Sequence, residues 1–331
     1  MFGYIVRRII SGVLVLLVVS IATFALFFYG PANPALAYCP ETRCTPQRLE
    51  QITTSLGLDR PVLAQYGEYM KGIVAGNDFH AGSITIPCSA PCLGVSFKQR
   101  VDVADYLASR FPATLSVAVG AASLFLTIGV LMGILAARVR GSTTDRLIVG
   151  ASLLINAIPV YLLLLLSYLL FISQWGIMPE SGYHSPFTDG PLAWVKGMLL
   201  AWIVIGISSS TAYARFSRGS MIEALNEDYV RTARAKGLTE RRVTLKHALR
   251  SAIVPVVTIF GLDFATLLAG TVFTERIFDI QGIGLTALNA IRGKDLPMVA
   301  ATVLIAATFV VVANLVVDLV YSLIDPRVRL S

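Results

Sequence analysis

Four cysteines are the residues of this sequence whose chemistry is easiest to anticipate, and all lie between the first two apolar stretches: Cys39, Cys44, Cys88 and Cys92. Four thiolates at such spacings could hold a zinc ion in a reducing compartment. In an oxidising compartment the same side chains would form disulfides. We expect the segment to lie outside the cell, which favours disulfides. Among the three possible pairings we prefer the local pairs Cys39–Cys44 and Cys88–Cys92.

Two polar side chains interrupt apolar stretches further along the chain. Asp263 lies near the middle of one stretch, where a carboxylate costs about 2.5–3.5 kcal/mol on insertion scales and should therefore face protein or water. Lining of a pore and a structural hydrogen bond are equal alternatives for it. Asn156 lies just before Pro159 in another stretch. Because a proline can kink a helix there, we expect the Asn156 amide to bond the freed carbonyl groups, in preference to contacting a substrate.

Motifs for catalysis, nucleotide binding and metal binding are missing from the sequence. The phosphate-binding pattern G-x-x-x-x-G-K-[ST] is absent, and the single Gly-Lys pair, Gly293-Lys294, continues with Asp295. The three histidines are isolated from one another: His80, His184 and His247. We therefore predict that the chain is not an enzyme and holds no catalytic residue, no metal ligand and no cofactor of its own.

The densest charge lies between Arg215 and Arg250, a segment that contains nine of the chain's 27 basic residues and four acidic ones. By the positive-inside rule this segment lies in the cytoplasm. Tyr229, Ala233 and Lys236 recur at helical spacing within it, small Ala233 and Ala235 would let another backbone come close, and Gly237 fits the position just after a helix end. A second helical run covers roughly residues 241–251. The segment is either a solvated loop that only holds topology or a short helix that docks onto a partner.

The composition indicates that a membrane protein positions these residues. Hydrophobic residues make up 55% of the chain and charged residues 14%, with a mean hydropathy of +0.71, whereas a soluble domain carries about a quarter charged residues. The net charge of +7 could suggest nucleic acid, but the basic residues cluster between apolar stretches, where membrane topology explains them. The predicted fold class is an all-α polytopic membrane protein with both termini in the cytoplasm.

Six apolar stretches predict six transmembrane helices, over about residues 9–28, 112–137, 147–172, 194–212, 253–274 and 298–323. Arg7 and Arg8 precede the first, which we interpret as an uncleaved helix although residues 35–37 resemble a signal-peptide cleavage site. The predicted organisation is an N-terminal transmembrane helix (1–29), an extracytoplasmic lobe (30–108) and a transmembrane domain (109–331) with a cytoplasmic loop (213–252).

Within the lobe, the sequence predicts two short helices. Thr45 and Pro46 begin the first and Gly57 ends it, while Asp59 and Pro61 begin the second, which ends at Gly76. The cysteine-bearing insert SITIPCSAPCLGVSFKQR (83–100) follows. Stabilisation of an exposed lobe and contact with a partner protein are both compatible with the insert.

Three segments resemble a known family. DYVRTARAKGL (228–238), followed by HALRSAIVPVVT (247–258), resembles the cytoplasmic "EAA" loop of ATP-binding-cassette importer permeases, and is most similar to the subunits that import dipeptides and oligopeptides. The Glu-Ala-Ala core reads Thr232-Ala233-Arg234 here, and Gly237 lies eighteen residues before Pro255, as expected of the peptide-importer branch. YLASRFPATL (106–115) resembles the entry into the family's transport domain. TERIFDIQGIGLTALNAI (274–291) resembles its re-entrant stretch, where Gly282 and Gly284 would permit a tight turn.

The resemblance implies a multi-pass subunit of the bacterial plasma (inner) membrane. It implies a second homologous permease, two ATPase subunits that bind ATP and Mg²⁺, a solute-binding protein outside, surrounding lipid and no nucleic acid. The residues that would couple to the ATPase are Asp228, Tyr229, Arg231, Thr232, Ala233, Arg234, Ala235, Lys236 and Gly237, with the arginines and the lysine at the rim of its groove. Asp263 on the pathway would suit a peptide's N-terminal amine. Related permeases that carry nickel, haem or glutathione, and a sensor or channel that does not transport, are the alternatives.

Overall fold

The computed structural model of the protein describes residues 2–29, 35, 45–55, 59–81, 84–96 and 98–324. Cys39 and Cys44 lie outside the described residues, as do Gly57 and the segment from residue 325 onward. The disulfide predicted between Cys39 and Cys44 and the helix end predicted at Gly57 therefore stay predictions.

The described chain is mainly helical. In chain order the helices are α1 (Phe2–Tyr29), α2 (Pro46–Ser55), α3 (Val62–Ala75), α4 (Val103–Arg138), α5 (Thr143–Ala157), α6 (Val160–Ser167), α7 (Pro191–Asn226), α8 (Asp228–Ala235), α9 (Glu240–Arg242), α10 (Leu249–Leu268), α11 (Val272–Ile277), α12 (Ile283–Gly293) and α13 (Leu296–Ile324). Two π-helical segments, Tyr168–Gln174 and Val243–Ala248, follow α6 and join α9 to α10. Four strands form two antiparallel hairpins: β1 (Asn77–Ala81) with β2 (Ile84–Cys88), and β3 (Val95–Ser96) with β4 (Val101–Asp102).

The membrane helices follow from the long apolar runs. In the described part of the chain, five helical stretches are long and apolar enough to cross a bilayer: Val6–Ala25, Val103–Arg138, Pro191–Asn226, Glu240–Leu268 and Leu296–Leu319. The bent pair formed by α5 and by α6 with its π-helical continuation is a sixth if it is counted as one span. The predicted all-α polytopic fold is confirmed, whereas the side of the membrane on which each terminus lies stays a prediction.

The second membrane helix begins earlier than the sequence analysis predicted. α4 starts at Val103, and Pro112, the predicted start, lies inside it. The Asp102 carboxylate accepts hydrogen bonds from the backbone N–H groups of Ala104 and Asp105, at 2.7 and 3.4 Å. Such a cap satisfies N–H groups that have no partner within the helix. The prediction was wrong because it used the proline as the start signal and overlooked the capping aspartate.

The third predicted span is broken rather than kinked. α5 ends at Ala157, α6 begins at Val160, and the two helical segments differ in direction by 87°. Pro159 has no backbone N–H and disfavours a helical conformation of the residue before it, and Ile158 is accordingly extended, with φ −91° and ψ 125°. The Asn156 side chain is exposed, and in the described part of the chain no hydrogen bond joins its amide to another residue. The prediction that its amide bonds to the carbonyl groups freed by Pro159 is therefore wrong.

The predicted loop 213–252 is largely helical. α7 continues to Asn226, and its 36 residues reach about 54 Å at 1.5 Å per residue, well beyond a hydrocarbon core of roughly 30 Å. The second predicted helical run is confirmed, but it begins at Glu240 and continues to Leu268 with Pro255 inside α10. Both membrane helices therefore extend out of the bilayer at their basic ends.

The segment between α1 and α4 contains the two predicted helices and two hairpins that were not predicted. α2 follows Thr45 directly, and α3 follows Pro61 and ends at Gly76, whose φ of 77° favours glycine. The hairpin β1–β2 leads to a disulfide between Cys88 and Cys92, one of the two local pairs that the sequence favoured. Both sulfur-bearing residues are buried, 3% and 2% exposed, and together with Val95 they form a small apolar cluster.

The second hairpin fastens this segment to the junction of α12 and α13. Ser96 donates a hydrogen bond to the Asp295 carboxylate, and the Lys98 ammonium donates to the Gly293 carbonyl oxygen. Lys294 lies between these two partners in the left-handed conformation, with φ 55°. The buried residues packed around the junction and the start of α4 are Val103, Leu107, Ala290, Met298 and Ala301. These contacts support the stabilising interpretation of the insert.

The stretch predicted to be re-entrant differs in its turn. Gly282 precedes α12 with φ −103° and ψ −172°, a conformation that any residue adopts, and Gly284 is buried inside the helix. The left-handed residue of the stretch is Asp279, with φ 49°. The prediction that the two glycines make a tight turn is therefore wrong.

The chain divides into two compact units. One comprises Leu115–Ile280 with the part of α13 from Val312 onward, and it contains the basic segment and Asp263. The other comprises Phe2–Thr114 with Gln281–Val311, and it contains both hairpins and the disulfide. The predicted coupling residues, Asn156 and Asp263 thus lie in the first unit, and the cysteines of the disulfide lie in the second.

Candidate functional site

The basic segment forms a short amphipathic helix that packs against its own chain. On α8, Val230 and Ala233 are buried, 0% and 5% exposed, and their spacing places them on one face. They join an apolar cluster that includes Met221 of α7 and Val243 of the π-helical turn, both 0% exposed. α8 is therefore fixed to the two membrane helices that flank it in the chain.

The rest of α8 is exposed, as are the two residues that follow it. Together they include most of the predicted coupling residues: Asp228, Tyr229, Arg231, Thr232, Ala235, Lys236 and Gly237. Tyr229 is 43% exposed, and a tyrosine beside arginines is the composition typical of binding hot spots. Arg231 forms an ion pair with Asp228, with 3.4 Å between Arg231 Nη1 and Asp228 Oδ1, and both side chains are largely exposed. The pair therefore contributes little to stability.

Gly237 ends α8 in the way the sequence predicts. Its φ is 74°, its N–H donates to the Arg234 carbonyl at 2.9 Å, and the N–H of Leu238 donates to the Ala233 carbonyl at 3.3 Å. These two bonds form a Schellman motif, in which a left-handed residue satisfies the last carbonyl groups of a helix. Among the described residues, no atom outside Gly237 and its two chain neighbours lies within 4 Å of the position that a Cβ on Gly237 would occupy. Glycine is therefore needed there for its backbone conformation and not for close packing.

Arg234 has an internal partner that the sequence analysis did not predict. Its guanidinium donates to both carboxylate oxygens of Glu240, at 2.7 and 3.3 Å, and to the Leu225 carbonyl at 3.4 Å. By accepting two of these hydrogen bonds, the Glu240 carboxylate raises the pKa of Arg234 above its usual value. Arg234 thus joins the end of α8 to α7 and α9, which leaves Arg231 and Lys236 as the cations of α8 that project outward.

Ala233 likewise serves the chain's own packing. We expected its small side chain to let a partner's backbone come close, but the side chain is 5% exposed and lies in the cluster with Ala224, Ala248 and Ala252. The close approach that the alanine permits is therefore between α8 and neighbouring helices of the same chain. Only Ala235 of the two predicted alanines is exposed.

An ion pair that sequence reasoning missed joins α7 to the first turn of α5. Arg218 donates to the two carboxylate oxygens of Asp145 at 2.6 and 2.8 Å, and the Gly141 N–H donates to the same carboxylate at 2.9 Å. The Asp145 side chain is 5% exposed and that of Arg218 27%. The hydroxyl of Ser142 in turn accepts from the Asp145 N–H at 3.3 Å. The Ser-x-x-Asp capping pattern signals the helix start at Ser142, whereas no local pattern points to Arg218.

Two glycines bring α4 and α7 into backbone contact. A Cβ on Gly129 would lie 2.5 Å from the Cβ of Tyr213, and one on Gly133 would lie 2.5 Å from the Cβ of Ser217 and 2.7 Å from the Ala214 carbonyl oxygen. Small residues four apart allow such close packing of membrane helices. Because the two backbones touch, α7 cannot slide along α4 without separating from it.

Asp263 of α10 is hydrogen-bonded to α7. The Tyr213 hydroxyl donates to its carboxylate at 2.8 Å, and the Tyr213 ring, 1% exposed, lies 4.6 Å from the Phe125 ring. Asp263 itself is exposed on the surface of the single chain. The carboxylate therefore makes a structural hydrogen bond and also faces outward from the helix.

Comparison with protein families identifies the chain. The family described as binding-protein-dependent transport system inner membrane component matches residues 129–330, and its N-terminal region matches residues 1–118. The protein belongs to this family. As a permease it is a multi-pass protein of the bacterial inner membrane and a transport subunit rather than a catalytic one. The resemblance to importer permeases is thereby confirmed.

Full-length relatives carry peptide-transport names. The permease is 36% identical to the dipeptide transport system permease protein DppB of Escherichia coli (strain K12), with 99% of each chain covered. It is also 36% identical to the di/tripeptide transport system permease protein DppB of Pseudomonas aeruginosa (strain UCBPP-PA14), again with 99% of each chain covered. The likeness therefore extends beyond the segments in which the resemblance was first seen.

The structure brings some predicted site residues of the permease together and separates others. The residues of α8 form one surface, while Asp263 lies on a membrane helix and Asn156 lies at the break after α5. Among the described residues, no group of three histidine, cysteine, aspartate or glutamate side chains could hold a metal ion. The contacts that sequence reasoning missed are those of Arg218 with Asp145 and of Arg234 with Glu240.

Proposed function

We propose that the protein is one of two permease subunits of an ATP-driven importer of dipeptides or oligopeptides and forms half of the translocation pathway. The names of its full-length relatives support this cargo. A second, homologous permease forms the other half. Two ATPase subunits hold ATP and Mg²⁺, which is consistent with the lack of a phosphate-binding motif in this sequence. The segment between α1 and α4 faces outward, towards the solute-binding protein, and the basic segment faces the cytoplasm.

Coupling runs through α8 in this proposal. Its exposed side inserts into a groove of an ATPase subunit, with Tyr229 as the anchor and Arg231 and Lys236 at the rim. Closure of the ATPase dimer around ATP then moves α8. Because the buried side of α8 is packed on α7 and on the helix from Glu240 to Leu268, that movement passes to two membrane helices. Coupling of this kind requires contacts that differ between the inward-facing and outward-facing states.

One observation carries the proposal: α8 buries Val230 and Ala233 against its own chain and leaves an aromatic and two cations, Tyr229, Arg231 and Lys236, exposed around it. A solvated loop that only holds topology would need neither the buried face nor the exposed tyrosine. An interaction helix needs both, because the buried face transmits force and the exposed face binds.

The test is Tyr229→Ala in the complete complex, with Phe187→Ala as the control. Phe187 is another exposed aromatic, 95% exposed, in the loop before α7. Loss of a hot-spot side chain weakens binding by about 2 kcal/mol or more, roughly thirtyfold. We expect the Tyr229 variant to insert normally but to lose its ATPase subunits on purification and its peptide-stimulated ATP hydrolysis. Normal retention and stimulation would refute docking through α8.

The cargo requires a separate measurement. The complex reconstituted with its solute-binding protein should take up labelled dipeptides in an ATP-dependent manner, and it should not take up nickel, haem or glutathione. Uptake of one of these solutes instead of dipeptides would contradict the proposed cargo but not the proposed permease architecture. A chain that purifies without any ATPase subunit and moves no solute would be a sensor or channel, contrary to the proposal.

A further inference from the structure

We propose that the basic end of the helix from Glu240 to Leu268 holds a binding site for the headgroup of an anionic phospholipid. A cavity of about 400 Å³ lies there, lined by Thr239, Arg241, Arg242, Leu245 and Lys246. Small-molecule sites commonly occupy roughly 300–1,000 Å³, so the cavity is large enough for a phosphodiester group. The inference goes beyond the proposed function, since it requires only that this end of the helix meets the membrane surface.

The charge of the cavity suits a phosphate. Arg241, Arg242 and Lys246 are all exposed, and none of them makes an ion pair with another described residue. Glu240, the acidic residue next to them in the chain, forms an ion pair with Arg234, with 2.7 Å between Arg234 Nε and Glu240 Oε1. Three cations thus share one cavity, and guanidinium and ammonium groups bind phosphate oxygens through charge-assisted hydrogen bonds.

The local backbone gathers these side chains. Residues Val243–Ala248 form a π-helical segment, in which hydrogen bonds join residues five apart, and such segments are rare and frequently occur at functional sites. Arg241 and Lys246 are five apart and Arg242 and Lys246 four apart, so all three project towards one side. The π-helical segment therefore explains why the cations line a common cavity rather than encircling the helix.

The position along the helix indicates a membrane lipid rather than a soluble anion or an acidic protein. The 29 residues from Glu240 to Leu268 span about 43 Å, whereas the hydrocarbon core needs only about 20 residues. If the apolar end at Leu268 fills the core, Leu245 and Lys246 lie about 5–6 Å beyond its edge near Leu249, in the headgroup layer. Arg241 and Arg242 lie about 10–12 Å beyond that edge, from where their long side chains reach back to the phosphates. Leu245, 50% exposed, lies among the cations, where the start of an acyl chain would cover it while the phosphate meets the charges.

The test uses the purified complex and mixed vesicles of phosphatidylcholine and phosphatidylglycerol. The site variant is Arg241→Gln with Lys246→Gln, and the control is Arg140→Gln with Arg146→Gln. The control removes two exposed cations near the same ends of α4 and α5. The number of phosphatidylglycerol molecules retained is counted by native mass spectrometry. A basic residue near a membrane surface strengthens binding of anionic lipid roughly fivefold, so the site variant should bind about 25-fold more weakly.

Each outcome is decisive. Preferential retention of phosphatidylglycerol over phosphatidylcholine, weakened in the site variant and not in the control, supports the site, as does failure of inorganic phosphate to displace the lipid. Equal weakening in both variants would mean general attraction to the surface and would overturn it. Loss of the ATPase subunits from the site variant with unchanged lipid binding would assign the cations to a protein contact. Retained ATPase subunits and an unchanged unfolding temperature show that the site variant folds.

Discussion

Arg218 of α7 and Asp145 of α5 form an ion pair with two hydrogen bonds, of 2.6 and 2.8 Å, at the basic ends of their helices. The carboxylate is 5% exposed and receives a third hydrogen bond from the Gly141 backbone. The pair therefore ties α7, the helix that leads into α8, to the turn between α4 and α5. A movement of α8 cannot displace α7 without also moving this turn.

Removal of the charge in Asp145→Asn should destabilise the permease, because Arg218 then keeps a partly buried charge without a counterion. Loss of one partner of a buried pair costs 3–5 kcal/mol, and we expect about 2–3 kcal/mol because Arg218 is 27% exposed. The thermal unfolding temperature of the purified complex measures this. Arg146→Gln, which removes an exposed neighbouring charge, should leave the temperature unchanged. Equal temperatures for both variants would contradict the structural role of the pair.

Gly237 should tolerate asparagine and reject β-branched residues. Its φ of 74° costs an ordinary residue roughly 1–2 kcal/mol, whereas asparagine adopts the left-handed region more readily. We expect Gly237→Val to abolish peptide-stimulated ATP hydrolysis while the chain still inserts, and Gly237→Asn to retain most of it. Because the Cβ position is free of contacts, similar loss in both variants would mean that a partner, rather than backbone conformation, requires glycine.

The contact between α4 and α7 can be tested by adding one methyl group. In Gly133→Ala the new Cβ would meet the Ser217 side chain and the Ala214 backbone, so the helices must separate, at about 1–3 kcal/mol. Gly219→Ala, on α7 with nothing within 4 Å, should instead be neutral or stabilising by up to about 1 kcal/mol. The unfolding temperature of the Gly133 variant should therefore fall, and that of the Gly219 variant should stay the same or rise. An unaffected Gly133 variant would disprove the backbone contact.

Asp263 can be tested with peptides that differ only at the N-terminus. If its carboxylate meets the peptide's amine, Asp263→Asn should reduce uptake of dipeptides with a free amine about tenfold, which corresponds to about 1.4 kcal/mol. Uptake of N-acetylated dipeptides should change less, so the ratio between the two uptake rates should fall. Tyr213→Phe removes the 2.8 Å hydrogen bond but keeps the charge, so selectivity for the free amine should persist. Equal losses for both kinds of peptide would make Asp263 purely structural.

The disulfide reports on the side of the membrane. In membranes isolated from cells without reductant, Cys88 and Cys92 should resist alkylation, because a disulfide persists in an oxidising compartment. Closing so short a loop, with a separation of 4 residues, contributes about 2 kcal/mol. Cys88→Ser with Cys92→Ser should therefore increase proteolysis of the hairpins. Ready alkylation before reduction would place the segment in the cytoplasm.

Local signals in the sequence predicted much of this architecture. Runs of about 20 apolar residues predict membrane helices because a bilayer leaves backbone groups no partner other than one another. The helix end at Gly237 was predictable for a similar reason, since capping depends on residues a few positions apart, and Pro46 and Pro61 marked the starts of α2 and α3. Predictions were wrong where two local signals competed, as with Pro112 against Asp102, and where Pro159 broke the third span rather than kinking it.

Contacts between distant segments were decided only by the tertiary structure. Arg234 was predicted to meet a partner, yet it holds Glu240, and Ala233 is buried against α7 and the turn after α9. Arg218 and Asp145 lie 73 residues apart, and neither residue's type reveals the other as its partner. Composition and spacing thus determined that the chain crosses the membrane and carries a basic helix outside it. Which side of that helix is free to bind depends on how neighbouring helices pack, because burial is a property of the folded chain and not of any one segment.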